Sequence, residues 1–250
     1  MREARSPSTA QVALLMTRPA AASRRFVGAL SADLLAKIEV IHAPLLQIIP
    51  VEADIDAQAW RGVIFTSANG VAAAGAAERA LPAYCVGART TQAAAKAGWM
   101  AEQSGTNAEE LLTALIAKHP ATPLLHLHGT HTRGDVAARL TAAALPCSSK
   151  VIYDQALLPL PADTRRAICA QSQVIVPLFS PRTARHFASL GLDPANLTLI
   201  ALSEAVAVEL KDLNCKDLRV SKTADAFGMA AMVRDAAVRL AHLEGGNPAQ

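Results

Sequence analysis

Aromatic residues make up only 4% of this chain, with two tryptophans, two tyrosines and five phenylalanines. Its core must therefore be built from Ala, Val, Leu and Ile, which suits helices packed closely on sheets. Long hydrophobic runs are missing as well. No stretch approaches the roughly 20 apolar residues that span a bilayer, so no membrane role is expected. The run Val12–Met16 is too short for the core of a signal peptide. Neither sign of charge dominates. Twenty-four Lys and Arg against 21 Asp and Glu leave +3 over 250 residues, which makes no electrostatic case for nucleic acid. The four cysteines, Cys85, Cys147, Cys169 and Cys215, stand far apart without a C-x-x-C pair. A zinc site or redox dithiol has no support, and reduced thiols in a cytoplasmic protein are expected. The chain has no G-x-x-x-x-G-K-[ST], no G-x-G-x-x-G and no G-x-S-x-G. A phosphate loop, a dinucleotide site and a nucleophile elbow are thereby unsupported, and with them a nucleotide-dependent transferase.

Hydrophobic residues at 52% against 18% charged residues mark a folded chain. Short apolar runs alternate with Ala-rich stretches of helical spacing. Strands are predicted at Val12–Met16, Val40–Ile41, Gly62–Phe65, Ala83–Val86, Leu124–Leu127, Lys150–Tyr153, Val174–Phe179, Leu197–Ala201 and Leu218–Val220. Helical spacing lies between most of them, for example Phe26–Lys37, Val71–Arg79, Thr90–Ala97, Ala108–Ala117, Arg182–Leu190 and Phe227–Leu240. Repeated strand–helix–strand units predict an α/β fold of parallel sheets with helices on both faces. Continuously apolar strands such as Gly62–Phe65 fit burial on both sides.

Two segments break the rhythm. Pro44–Pro50 is an extended run bracketed by prolines, and Lys150–Leu160 is a second extended run. A chain that crosses twice between two lobes needs two such linkers. The expectation is an outer lobe from residues 1–43 with 161–250, an inner lobe from 51–149, and linkers at 44–50 and 150–160. The ends, Met1–Ala10 and Glu244–Gln250, read as loose.

In open α/β sheets, ligands bind at the C-terminal ends of the strands. The turns there read Thr17-Arg18-Pro19, Thr66-Ser67-Ala68-Asn69-Gly70, Gly87-Ala88-Arg89-Thr90, Gly129-Thr130-His131-Thr132-Arg133-Gly134, Ser180-Pro181-Arg182-Thr183 and Ser203-Glu204. Any one of them can be a plain helix cap, since Ser, Thr and Asn cap well and Pro181 suits a first helical turn. Taken together, hydroxyls in nearly every turn and arginines in four point to an extended polyanion, because helix N-termini and guanidinium groups favour carboxylates. His126, His128 and His131 form a cluster, with His126 and His128 on one face of a strand, but no carboxylate or cysteine beyond Asp135 completes a metal set. No metal and no cofactor are expected. Tyr153, one of two tyrosines, sits in the second linker. Its phenol can donate a proton or a hydrogen bond, or its ring can pack as a hinge.

The ordered set of motifs resembles the uroporphyrinogen-III synthase family from about Val12 to Leu240. The pieces are the opening strand with Thr17-Arg18-Pro19, Pro44-Leu45-Leu46, Phe65-Thr66-Ser67-Ala68-Asn69-Gly70-Val71, Val86-Gly87 with Thr90, Gly129 with Arg133, Tyr153, and Phe179-Ser180-Pro181-Arg182-Thr183-Ala184. The resemblance implies two flavodoxin-like lobes on a two-stranded connection, with the active site in the cleft between them. It implies a cofactor-free, metal-free, monomeric cytoplasmic enzyme. The implied reaction cyclises hydroxymethylbilane, a linear tetrapyrrole polycarboxylate, with inversion of the last ring. A transient contact with the enzyme that makes hydroxymethylbilane is also expected. By resemblance Tyr153 is the candidate acid and Thr90 a cleft threonine. Thr66, Ser67, Asn69, Ser180 and Thr183 lie in turns that hold carboxylates, and Thr17, Arg18, Gly129, Arg133, Arg182 and Ser203 complete the substrate-binding set.

Two departures stand out. Where the family often has threonine, after the strand Leu197–Ala201, this chain reads Ser203-Glu204-Ala205-Val206. The glycine common before the second strand is replaced by Lys37-Ile38-Glu39. The missing threonine, with Glu204 in its turn, leaves room for the alternative, a non-catalytic two-lobe module that binds an anionic ligand.

Overall fold

A computed structural model describes residues 12–132 and 134–245. The loose N-terminus expected at Met1–Ala10, and residue Arg133, lie outside the described residues. In chain order the elements are β1 (Val12–Met16), α1 (Ala20–Val27), α2 (Ala32–Leu35), β2 (Glu39–His42), β3 (Leu46–Pro50), β4 (Gly62–Phe65), α3 (Ala68–Ala74), β5 (Pro82–Val86), α4 (Gly87–Lys96) and β6 (Met100–Gly105). There follow α5 (Ala108–Lys118), β7 (Leu124–Gly129), α6 (Val136–Ala142), β8 (Cys147–Leu157), α7 (Ala162–Cys169), β9 (Gln173–Leu178), α8 (Pro181–Ala188), β10 (Leu197–Ala201), α9 (Glu204–Ala207), β11 (Asp217–Val220) and α10 (Ala226–Gly245). Short 3₁₀ turns occupy Ala57–Ala59, Pro194–Asn196 and Val208–Leu210.

The strands form two mostly parallel sheets. One has five strands in the order β11-β10-β9-β1-β2, the other six in the order β3-β8-β7-β4-β5-β6. The chain divides into two units, Met1–Gln47 with Leu157–Gln250, and Ile48–Ala156.

In the first unit the sheet separates two cores, because successive side chains of a strand point to opposite faces. On one face Ala13, Leu15, Val174 and Val176 pack with Phe187 of α8. On the other, Leu14, Met16 and Ile175 pack with Phe26 of α1 and with α10. Helix α10 buries Met229, Val233, Ala236, Ala237 and Leu240. These fall at the i, i+4, i+7, i+8 spacing of one helical stripe. Each large apolar side chain so buried contributes about 1.5–3 kcal/mol.

The second unit repeats the plan. Val63, Phe65, Leu125 and Leu127 build one core, and Ile64, Leu124, Leu111 of α5 and Leu140 of α6 the other.

Several expectations are corrected. The single helix at Phe26–Lys37 is two, since α1 ends at Gly28 and Ser31 caps a separate α2, its side chain accepting from Leu34 N. Helix α3 stops at Gly75, whose φ of 76° suits glycine, rather than running to Arg79. The extended run Pro44–Pro50 holds β3, the run Lys150–Leu160 overlaps β8, and these two strands are hydrogen-bonded neighbours. Strand β6 has no counterpart among the predicted strands. It is a polar edge, with Glu102 and Gln103 exposed, and pairs only with β5. Of the tail expected to fray, Glu244 and Gly245 belong to α10, and residues 246–250 lie outside the described residues.

Candidate functional site

Parallel pairing puts the strand-end turns of each unit on one edge of its sheet. In the second unit β8, β7, β4 and β5 are neighbours, so Tyr153, Gly129, Thr66 and Gly87 lie at the same end. Strand β7 slips register between His128 and Gly129, and the slip sets Gly129 opposite Tyr153. The two are matched in shape. A Cβ on Gly129 would sit 2.4 Å from Tyr153 Cε2 and 2.5 Å from its Cζ. The same ring lies 3.8 Å from the Cβ position of Gly70. At Gly129 a side chain would collide with the ring, whereas at Gly70 a Cβ would only touch it. Tyr153 is buried at 4% exposure, and its carbonyl accepts from Thr130 N at 3.0 Å.

Here a polar cavity of about 270 Å³ opens, lined by Thr66, Ser67, His128, Gly129, His131, Tyr153 and Gln155 among others. Ser67 is the N-cap of α3, its Oγ accepting from Asn69 N at 3.1 Å. His128 places Nδ1 2.8 Å from the Gly129 carbonyl, which fixes its ring. His131 lies 4.0 Å from Asp154. Deeper in the sheet, His126 is 2% exposed and its Nε2 lies 3.3 Å from Thr66 Oγ1. Burial first, and the neighbouring His128 second, push its pKa down to about 3.

The structure thus brings together Thr66, Ser67, Gly129 and Tyr153. Asn69 and Thr90 are not in the lining. Thr90 is buried at 5% in the first turn of α4, where Gly87 at φ 76° starts the helix. A larger cavity of about 430 Å³ in the same unit is lined by both tryptophans, Trp60 and Trp99, with Ile55, Val63 and Leu127, and also by the charged Glu52, Glu78 and Arg79. It shares no residue with the polar one. It forms where residues 51–61 cover the sheet with a single 3₁₀ turn and no α-helix.

In the first unit β10, β9 and β1 are neighbours, and the turns at Ser203, Ser180 and Thr17 share an edge. Thr17 is 1% exposed, and its Oγ1 has no hydrogen-bond partner. Arg18 lies over the Phe179 ring, 4.0 Å from its centroid, and Phe179 meets Phe26 edge-on at 5.1 Å. That cation–π contact orients the guanidinium. Ser180 caps α8 through Thr183 N at 3.2 Å and donates to Thr183 Oγ1 at 2.9 Å, with Pro181 in the first turn. Arg182 is half-buried beside them. Ser203 is the N-cap of α9 but makes no side-chain capping bond, and Glu204 is exposed.

Among the described residues no group of three His, Cys, Asp or Glu is placed to hold a metal, and His126 and His128 stack on each other with ring centroids 4.7 Å apart. No helix among them is long and apolar enough to cross a membrane. The four thiols are free. Burial raises Cys85 and Cys147 to about 11, so both stay protonated and unreactive at neutral pH.

The sequence reading missed two features of this site. The seating of Tyr153 on Gly129 depends on a register slip that no local pattern announces. The bond from His126 to Thr66 joins residues 60 apart in the chain.

Among solved structures, the fold is similar to that of the uroporphyrinogen-III synthetase of Helicobacter pylori. The match has a TM-score of 0.65 and 13% identity, over 90% of this chain and 98% of that one. It is also similar to a mutant uroporphyrinogen III synthase of the extremely thermophilic bacterium Thermus thermophilus, with a TM-score of 0.50 and 12% identity, over 91% and 98%. At such identities these likenesses speak for the fold. No curated protein matches in sequence. The family model of uroporphyrinogen-III synthase HemD matches residues 32–231, most of the chain, which therefore belongs to that family of tetrapyrrole-synthesis enzymes.

Proposed function

We propose that the chain is a cyclising hydro-lyase that converts hydroxymethylbilane to uroporphyrinogen III, and that Tyr153 is its acid. The observation that carries this reading is the Tyr153 ring, seated on Gly129 in a polar cavity with Thr66, Ser67 and His128. A phenol there can protonate the departing hydroxyl of the substrate, and water leaves. The remaining azafulvene cation is attacked by the terminal pyrrole at its substituted carbon. The resulting spiro intermediate fragments and closes again at the other carbon, which inverts that ring, and the proton lost as the pyrrole regains its aromaticity restores the phenol. Positioned acids contribute about 10²–10⁴-fold in rate. Because the free substrate can close unaided to the symmetric isomer, holding it folded matters as much.

The carboxylates are taken by hydroxyl and backbone donors of the strand-end turns: Thr66 and Ser67 in one unit, and Thr17, Ser180, Thr183 and Ser203 in the other. Arg18 and Arg182 supply charge. We place Asn69 and Thr90 in supporting roles, shaping α3 and the start of α4, and keep Arg133 as a substrate contact. The enzyme works as a cytoplasmic monomer without cofactor or metal, and meets the enzyme that makes its substrate only transiently. Family membership disfavours the non-catalytic binding module. The test gives purified protein fresh hydroxymethylbilane and separates the oxidised products by chromatography. The type III isomer is expected, and only type I would reject the reading.

A further inference from the structure

His126 is a titratable side chain buried in the middle of a sheet, and the reaction described above does not use it. Its place follows from register. Ile64 of β4 lies opposite His126 of β7, so Thr66, two residues beyond Ile64, is its diagonal neighbour on the same face. That brings Nε2 to 3.3 Å from Thr66 Oγ1. Thr66 lines the polar cavity and His126 does not. His128, which does line it, is the ring against which His126 packs.

Burial pushes the His126 pKa down to about 3, so at neutral pH its ring carries one N–H and one bare nitrogen. The threonine hydroxyl has one proton and two lone pairs. If Nε2 is bare, it consumes that proton, and Thr66 shows lone pairs to the cavity, where they would repel a carboxylate. If Nε2 carries the proton, it donates to Oγ1 and leaves the hydroxyl proton for the ligand. A polycarboxylate selects the second arrangement.

We infer that His126 is a positioning residue: it donates from Nε2 to Thr66 Oγ1 and so turns the Thr66 hydroxyl proton into the cavity, toward an oxygen of the substrate. This rests on the proposed function, and His126 itself neither touches substrate nor supplies a proton to it.

Two measurements test it. In ¹⁵N-histidine-labelled protein, long-range proton–nitrogen spectra should show His126 neutral from pH 7.5 to 5 with its proton on Nε2. Thr66→Val identifies the resonance by shifting it. A proton on Nδ1 in the substrate-saturated enzyme overturns the inference. The second measurement is a double-mutant cycle. His126→Phe should raise KM about five- to tenfold, the scale of one hydrogen bond, with a smaller change in kcat. His126→Gln, which keeps an N–H donor, should recover most of that loss. In a Thr66→Val background, His126→Phe should cost nothing further. Losses that add across the cycle would mean that His126 only fills space. If His126→Phe does not fold, the spectrum and the Gln variant still decide. A wild-type protein that makes no type III isomer would sink the proposed function instead, and the spectrum would still judge the hydrogen bond.

Discussion

The strand-end edges of the two units are built from similar turns and differ in what they present. In the Ile48–Ala156 unit the edge opens into a cavity with a phenol, two histidines and three aliphatic hydroxyls. Its polar groups are tied to one another, Tyr153 to Gly129 by shape and Thr66 to His126 by a hydrogen bond. In the other unit the edge carries an oriented charge and one satisfied cap, at Ser180. Arg18 rests on Phe179, and Ser180 and Thr183 bond each other. On the proposed function, the first edge serves both proton chemistry, at Tyr153, and anion binding, at Thr66 and Ser67, and the second serves anion binding alone. Substitutions at Tyr153 and Gly129 should therefore act mainly on kcat, and substitutions at the second edge mainly on KM.

The sharpest challenge to that contrast is Gly129→Ala. The added methyl meets the Tyr153 ring at 2.4 Å. The buried ring must move, because overpacking of this kind displaces side chains and typically costs ~1–3 kcal/mol. Turnover should fall about a hundredfold or more, at least as far as removing the acid itself. Tyr153→Phe keeps the packing and deletes only the hydroxyl, so it should fold normally and lose roughly ten- to a hundredfold in kcat. Steady-state kinetics beside thermal unfolding separates the two. Wild-type turnover in Tyr153→Phe would make the tyrosine a packing residue and erase the contrast. A Tyr153→Phe protein that makes mostly type I isomer would shift its role to shaping the folded substrate.

The same unit should be the more sensitive to acid. Histidine in an unfolded chain titrates near ~6.5, whereas the folded His126 is pushed down to about 3, by burial first and His128 second. The fold favours the neutral form, so this stabilisation is complete above the unfolded value and is lost as pH falls toward the folded one. Between pH 8 and pH 5 the loss should be about 2 kcal/mol, read as a fall in unfolding free energy in denaturant titrations. His126→Phe should remove most of that slope. A slope unchanged in the variant would assign the acid sensitivity elsewhere.

Much of the fold could be read from the chain because its strands are short apolar runs and its helices Ala-rich stripes, as in β4 and α10. The misses have physical causes. Strand β6 is a polar edge, and edges are held by backbone pairing with one neighbour and protected by charge rather than by apolar pattern. The split between α1 and α2 turns on the Gly28–Ser31 break, which helical spacing alone passes over. At the site, the turns with hydroxyls were legible because capping residues are local. The burial of Thr90 was not, since its depth is set by the packing of α4. His126 stands out in sequence only as a metal candidate, and sheet register alone shows it beside Thr66.

The gripping edge is tested more gently by Thr17→Val. The hydroxyl is buried without a partner, and an unsatisfied buried polar group is costly unless something answers it. Valine has nearly the same shape, so stability should hold or rise by up to about 1 kcal/mol. If the hydroxyl awaits a substrate oxygen, KM should rise about fivefold with kcat unchanged. A lower kcat at constant KM would move Thr17 to the chemical side of the comparison.

The smallest expected effect is at Glu204. Its carboxylate is exposed in the first turn of α9, next to a Ser203 that makes no side-chain capping bond. Two effects oppose each other there. A negative charge at a helix N-terminus stabilises by about 0.3–1 kcal/mol, but the same charge repels a polycarboxylate approaching that edge. Glu204→Gln should therefore lower stability slightly and lower KM about two- to threefold at low ionic strength. Both changes should fade at 1 M salt, where the screening length is about 3 Å. An unchanged KM at low salt would place Glu204 beyond the reach of the substrate's charge, and Ser203 would leave the binding set with it. A KM effect that persists in high salt would instead mean direct contact, and this turn would then bind its ligand by hydrogen bonding rather than by field.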